Sequence, residues 1–213
     1  MTEEDDSTLA TRARYDRIAP IYDLMESPME IFLARDWREL IWSKVEGDNV
    51  LEVGVGTGKN IPYHPKGSQV TAIDISEKML KRAVRKAEGR EGEVELLRMD
   101  AQNMDFEDDS FETTVATFVF CSVPDPVQGL QEINRVAKPG GQVLLLEHMR
   151  PEVELPERVF DLLNPLVVRL FGFNINRRTV ENVEKSGLEI ESVKNLTGMV
   201  IVKLFEATPE PKR

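Results

Sequence analysis

The stretch Asn49-Val50-Leu51-Glu52-Val53-Gly54-Val55-Gly56-Thr57-Gly58-Lys59-Asn60 constrains the fold more than any other. Val50, Leu51 and Val53 read as a short buried strand. Gly54, Gly56 and Gly58 follow at once, and a strand running into a glycine-rich turn brings backbone N–H groups close to a ligand. The spacing sets this turn apart from two other ligand-binding loops. The pattern G-x-G-x-x-G wants glycine at position 59, which is Lys59. The pattern G-x-x-x-x-G-K-[ST] fails twice: Gly54 is one residue too close to Gly58-Lys59, and Asn60 replaces serine or threonine. Both of those loops hold phosphate, which Glu52 would repel. A carboxylate beside the turn suits a ligand with positive charge, such as a sulfonium with an ammonium group. The glycines alone leave an ordinary tight strand–helix turn as the alternative.

Composition narrows the setting. A chain of 213 residues suits one domain with a sizeable core. Its 27 basic and 38 acidic residues leave a formal charge of −11, which argues against broad nucleic-acid binding. Cys121 is the only cysteine, so no intrachain disulfide forms. His64 and His148 are too few and too far apart in sequence to suggest a metal site. The acidic start, Thr2-Glu3-Glu4-Asp5-Asp6, is unlike a signal peptide, and no apolar run is long enough to span a bilayer. The expectation is a cytoplasmic protein, with peripheral membrane contact left open and no obligate protein partner.

The rest of the chain alternates strands and helices. Residues 1–7 are expected to be disordered. Thr8 to Ile21 is helix-compatible, with Pro20 interrupting it, and a second helix is expected over Ile31–Lys44. Pro62 and Pro65 keep any helix after the glycine turn short. Val70–Ile73 is a second strand ending at Asp74, 20 residues after Gly54, where an acid can accept hydrogen bonds from two ribose hydroxyls. Ser76 is placed to cap a helix whose face is Met79, Leu80, Ala83, Val84 and Ala87. Glu93–Leu97 and Phe111–Phe120 read as the third and fourth strands. Asp125 and Pro126 open a helix that Lys138-Pro139-Gly140-Gly141 stops, and Val143–Leu146 is the fifth strand. A short helix at 179–186 precedes a hairpin of strands 188–196 and 199–205, joined at Thr197-Gly198. The order implies a doubly wound, mostly parallel sheet with its ligand at the strand C-termini.

Glu52-x-Gly54-x-Gly56-x-Gly58 resembles the first motif of class I methyltransferases that use S-adenosylmethionine. Arg135-Val136-Ala137-Lys138-Pro139-Gly140-Gly141, followed by Val143-Leu144-Leu145-Leu146-Glu147-His148, resembles that family's motif before and through the fifth strand. Tyr15-Asp16-Arg17-Ile18-Ala19-Pro20-Ile21-Tyr22-Asp23 is similar to the signature Y-D-x-x-A-x-x-Y-D. Quinone-biosynthesis C-methyltransferases and bacterial phospholipid N-methyltransferases carry that signature. The resemblance covers nearly the whole chain, most securely residues 49–148. It implies a Rossmann-like, mostly parallel seven-stranded α/β sheet with a C-terminal hairpin. It divides a single domain into an N-terminal helical cover (1–45), a cofactor core (46–148), an acceptor lid (149–176) and a C-terminal helix and hairpin (177–207).

The same resemblance implies S-adenosylmethionine as cofactor and S-adenosylhomocysteine as product. It places Tyr22, Glu52, Gly54, Gly56, Thr57, Gly58, Asn60, Asp74, Ile75, Met79, Asp100, Ala101 and Phe118 around the cofactor, with Tyr22 and His148 facing the transferred methyl group. Several of these keep a second reading from the residues themselves. Tyr15 and Tyr22 could pack a helix onto the core. Asp100 could be a solvated turn residue, and His148 a hydrogen-bonded structural one. The insert at 149–176 could be a core helix pair. Methyl transfer is an in-line displacement, so the protein mainly aligns, excludes water and holds a deprotonated acceptor. The resemblance implies a small or amphiphilic acceptor, a phospholipid amine first, with a quinone carbon or a small thiol as alternatives. A cofactor-binding regulatory protein without turnover is the non-enzyme alternative.

Overall fold

Side chains alternate along β1 (Asn49–Val53), and this alternation splits the core in two. Leu51 and Val53 pack on one side of the sheet with Ile73, Ala116, Leu145 and Phe205. Val50 faces the other side, among Val115, Leu144, Leu146 and Leu204. A strand apolar on both faces needs cover on both, which helices provide. The computed structural model describes residues 5–29, 34–88, 92–149, 162–164, 167, 168, 174, 177–197 and 201–210.

Six more strands complete the sheet: β2 (Gln69–Asp74), β3 (Val94–Arg98), β4 (Phe111–Thr117), β5 (Ala137–Met149), β6 (Leu188–Asn195) and β7 (Ile201–Pro209). Their order is β3-β2-β1-β4-β5-β7-β6. Strands β1 to β5 pair in parallel, and β7 lies antiparallel to both β5 and β6. The chain runs outward from β1 through β2 to β3, then returns to place β4 on the other side of β1. Strand order therefore reverses between β1 and β4, the crevice where such sheets bind ligands.

The helices with both ends described are α1 (Asp6–Met29), α2 (Arg35–Trp42), α3 (Glu77–Ala87), α4 (Pro126–Val136) and α5 (Thr179–Lys185). Ile41 and Trp42 of α2 join Val50 on its face of the sheet. Leu130, Ile133 and Val136 of α4 and Val183 of α5 cover the opposite face. The Ser76 hydroxyl accepts from the Met79 N–H at 3.2 Å, and Asp125 caps α4 through the Val127 and Gln128 N–H groups at 3.0 Å each. Both caps were legible in the sequence.

The structure departs from the sequence reading in three places. The strand–helix alternation is incomplete: a three-residue 3-10 turn, Ile61–Tyr63, links β1 to β2, and residues 99–110 reach β4 without a helix. Strand β4 stops at Thr117 instead of Phe120, because Phe118 takes a left-handed φ of 57° that extended pairing cannot accommodate. Helix α1 begins at Asp6, where disorder was expected, and runs on through Pro20 to Met29. The start is secured by Asp5, whose carboxylate accepts the Ser7 N–H at 3.0 Å. Proline removes one hydrogen bond, to the Asp16 carbonyl, but side-chain tethers on both sides of Pro20 hold the helix together. Most of the 149–176 insert, Phe32 of the second expected helix and Gly198 of the hairpin turn lie outside the described residues.

Because Pro20 is exposed and its ring supports no buried contact, replacing it restores a helical hydrogen bond at little cost. Pro20→Ala is expected to raise the melting temperature, with a ceiling of about 3 kcal/mol from helix propensity. Thermal unfolding followed by circular dichroism measures it.

Candidate functional site

Helix α1 lies across the C-terminal ends of the first four strands and is tied to the loop after each. Thr8 Oγ1 donates to Asp100 Oδ2 at 3.3 Å, beyond β3. The Tyr15 hydroxyl and Ser122 Oγ share a short hydrogen bond beyond β4. Asp16 Oδ1 accepts from Ser76 Oγ at 2.6 Å and from the Lys78 N–H at 3.3 Å, beyond β2. Asp23 Oδ1 accepts from Thr57 Oγ1 at 2.6 Å, beyond β1. Thr8, Tyr15 and Tyr22 recur every seven residues, about two helical turns, so they share one face. Asp16 and Asp23 follow the same spacing one position on.

Beneath α1 is an open pocket with about 710 Å³ of free space, its mouth included. Thr11, Tyr15 and Tyr22 form its roof, and Gly54, Gly56, Asp74, Ile75 and Met79 one wall. Met99, Asp100 and Ala101 line a second side, and Phe118, Val119, Ser122, Val123 and Pro124 a third. Among the described residues that line it, the charged ones, Asp74 and Asp100, are both acidic. Asp74 Oδ2 accepts from the Gly56 N–H at 2.9 Å, and its Oδ1 from the Ser76 N–H at 2.8 Å. Burial pushes the Asp74 carboxyl up to about 6; those two N–H groups oppose the shift, while the charges of Glu52 and Asp16 add to it.

The glycine turn is a matter of space as much as of conformation. Gly54 has φ of 74°, and a Cβ there would sit 2.4 Å from Val119 Cγ2. Gly58 has φ of 79°, and a Cβ would come within 3.0 Å of the Ala83 Cα. Turn, pocket wall and α3 thus approach more closely than a side chain permits.

Of the residues singled out in the sequence, Tyr22, Gly54, Gly56, Asp74, Ile75, Met79, Asp100, Ala101 and Phe118 line this pocket. Glu52, Thr57, Gly58, Asn60 and His148 are not among its lining residues. Glu52 shares the face of Val50 and points toward α2, with no exposed surface. Its Oε1 accepts from Asn60 Nδ2 at 2.8 Å, and its Oε2 meets His64 Nε2 at 2.8 Å. Arg38 Nη1 in turn donates to Asn60 Oδ1 at 2.8 Å, and the His64 ring stacks 4.2 Å from Trp42. His64 is buried in this cluster. His148 stands behind the wall, its ring centroid 5.6 Å from that of Phe118. Among the described residues no group of three His, Cys, Asp or Glu is placed to hold a metal ion, and no helix is long and apolar enough to cross a membrane.

Sequence reasoning missed Asp16, Asp23 and Gln102. The aspartates stood in view, next to the two tyrosines of the N-terminal signature. Gln102 ties the loop after β3 to α1 and to the start of α4: its Oε1 accepts the Asp125 N–H at 2.8 Å, and its Nε2 donates to Thr8 Oγ1 at 3.0 Å and to Asp100. No local pattern marks it.

Comparison with known proteins follows the same outline. A family model described as "Methyltransferase domain" matches residues 51–145. A phosphatidylethanolamine N-methyltransferase of Cereibacter sphaeroides is 45% identical over 104 residues, 48% of this chain and 51% of that protein. The chain therefore spans about half the length of that relative. A demethylmenaquinone methyltransferase of Staphylococcus epidermidis is 30% identical over 203 residues, 91% of this chain and 82% of that one. The crystal structure of an S-adenosylmethionine-dependent methyltransferase from Thermotoga maritima superposes with a TM-score of 0.71 at 19% identity, covering 93% of this chain and 99% of the other, which shows a shared fold.

The tethers of α1 make a prediction of their own. Asp16→Ala removes a charged acceptor from two donors, worth about 1.5–3 kcal/mol to such bonds. Amide hydrogen exchange within α1 is expected to accelerate at least tenfold, while exchange in β1, β4 and β5 stays at the parent's rate. Exchange monitored by mass spectrometry reads both.

Proposed function

We propose that this chain, which belongs to the methyltransferases that use S-adenosylmethionine, transfers the methyl group to an amphiphilic amine, a phospholipid headgroup amine before others. The observation that carries the amine is the pocket's lining. Among the described lining residues the charged ones are acidic, and Tyr15, Tyr22 and Phe118 are aromatic, the kind of surface that suits a cation.

The residues present fit the cofactor. Asp74, already oriented by two backbone N–H groups, would accept from the ribose hydroxyls. Asp100 and Ala101 would meet the adenine edge, between apolar walls from Ile75, Met79 and Met99. Gly54 and Gly56 bring bare backbone to the ligand. When bound, S-adenosylmethionine supplies a methyl carbon activated by its sulfonium. The chain's own contribution is alignment and exclusion of water. Glu52, Thr57, Gly58 and Asn60 act from behind the pocket, shaping the turn and adding negative potential. Tyr22 faces the acceptor from the roof, and His148 supports the opposite wall through Phe118. Leu24 and Ile21, 75% and 52% exposed on α1, suit contact with acyl chains, and Arg12, Arg14 and Arg17 on the same helix suit anionic headgroups.

A specific observation favours a second reading. The demethylmenaquinone methyltransferase relative matches over nearly the whole chain, which supports methylation of a quinone carbon. Incubation with labelled cofactor and either phosphatidylethanolamine vesicles or a demethylated naphthoquinol, with products resolved by mass spectrometry, separates the two. Label in the quinol and none in the lipid would overturn the amine.

Two outcomes are expected of variants. Asp74→Ala should weaken S-adenosylmethionine binding by a few kcal/mol with an intact fold, since roughly 1.5–3 kcal/mol attends each bond to a charged acceptor. In the parent, a carboxyl raised to about 6 loses its acceptor form as pH falls through that value, so affinity should drop across a step near pH 6 that Asp74→Ala lacks. Titration calorimetry across pH measures both. Replacing Arg12, Arg14 and Arg17 together by glutamine should weaken binding to anionic vesicles at low salt, with a difference that shrinks as salt rises. Vesicle co-sedimentation that is equal for parent and variant at low salt would remove the membrane contact.

A further inference from the structure

The pocket wall opposite α1, residues 118–124, forms no regular ladder and is held from behind by three side chains. Glu147 Oε1 accepts from the Val119 N–H at 2.7 Å and the Phe120 N–H at 3.0 Å. Asn174 donates its backbone N–H and its Nδ2 to the Cys121 carbonyl at 2.8 and 2.9 Å. Arg177 Nη2 donates to the Val123 carbonyl at 2.7 Å. Glu147 lies two residues before the end of β5, on the face that carries α4 and α5, and it has no exposed surface. Its Oε2 has no hydrogen-bond partner among the described residues.

Resting on the reading of this pocket as the cofactor and acceptor site, we propose that Glu147 is a positioning residue for methyl transfer, and that its charge sets the geometry of the wall from Phe118 to Pro124. Glu147 is not among the pocket's lining residues; it acts through the backbone it holds. Hydrogen bonds to an ionised acceptor are roughly twice as strong as neutral ones. The segment needs that strength, because Phe118 sits at a φ of 57°, a conformation that persists only where its surroundings over-determine it. A protonated carboxyl accepts more weakly and brings an O–H that must find an acceptor in a buried site.

The groups near Glu147 come from each neighbouring element. Arg177 precedes α5, Cys121 lies in the held segment and Lys203 is its register partner on β7, while His148, next on β5, points to the opposite face. Burial pushes the Glu147 carboxyl up to about 7, against the pull of the Phe120, Val119 and Cys121 N–H groups and of the Arg177 charge. The carboxylate, the form that grips the wall, therefore predominates above about pH 7 and is lost as pH falls through that value.

The test is S-adenosylmethionine affinity measured by calorimetry from pH 5.5 to 8.5, a readout that needs no acceptor. The parent should weaken in two steps as pH falls, one near 7 from Glu147 and one near 6 from Asp74. Glu147→Gln, neutral at every pH, should lose the upper step, keep the lower one and bind about tenfold more weakly than the parent at pH 8, the loss of about one charged hydrogen bond. Glu147→Asp, which keeps the charge, should keep a titration step. Should Glu147→Gln fail to fold, Arg177→Gln serves instead: removing the facing cation should move the upper step to higher pH. An upper step that survives unchanged in Glu147→Gln, or that stays put in Arg177→Gln, overturns the role of Glu147. A parent that binds no S-adenosylmethionine at any pH instead overturns the assignment of the pocket.

Discussion

Two carboxylates with no exposed surface, Glu52 and Glu147, bracket the end of β4. A charge taken out of water costs several kcal/mol unless hydrogen bonds return most of it. Glu52 recovers that cost from Asn60 and His64 on the α2 side of the sheet, Glu147 from the Val119 and Phe120 N–H groups on the other. Between them, Thr117 is reached by Asn60 at 3.2 Å, and Phe118 turns left-handed out of the ladder. The end of β4 is thus gripped from both faces where the strand order reverses. The glycine turn and the wall after β4 then meet closely enough that Gly54 has no room for a side chain.

The roof is built on a different principle. Helix α1 is joined to the loops after β1 to β4 by side-chain hydrogen bonds, while its large apolar residues Ile21 and Leu24 remain exposed. Each such bond contributes about 1 kcal/mol net, far less than a buried aliphatic face would. The strands beneath carry the fully buried leucines and valines. The roof therefore belongs to the least costly part of the fold to open, and the floor to the most costly.

Negative charge is concentrated at this edge of the sheet. Asp74 feels Glu52 from behind the turn and Asp16 from the roof, and both add to the upward shift that burial produces. A cationic ligand would relieve that repulsion, whereas a phosphate would increase it. Glu52 exerts this influence without lining the pocket.

The strands, both helix caps, the hairpin and the ligand crevice were legible in the sequence, because each rests on a local rule. Buried strands show as short apolar runs, caps as Ser76 and Asp125-Pro126, and the ligand turn as alternate glycines. Nine of the thirteen residues expected around the cofactor line the pocket; seven of them sit at strand ends or in the turn, and Tyr22 and Met79 come from helices. Tertiary structure decided the rest. The direction of Glu52 depends on its sharing a sheet face with Val50, and so on which helix covers that face. The work of Asp16 and Asp23 depends on where α1 comes to lie, and a continuous α1 depends on tethers that outweigh the bond lost at Pro20. In the sequence Glu147 only follows the apolar run Val143–Leu146; its grip on the wall exists only because β5 pairs beside β4. Chain-local chemistry specifies elements and caps, whereas the partners of a buried charge are chosen by elements far apart in the sequence.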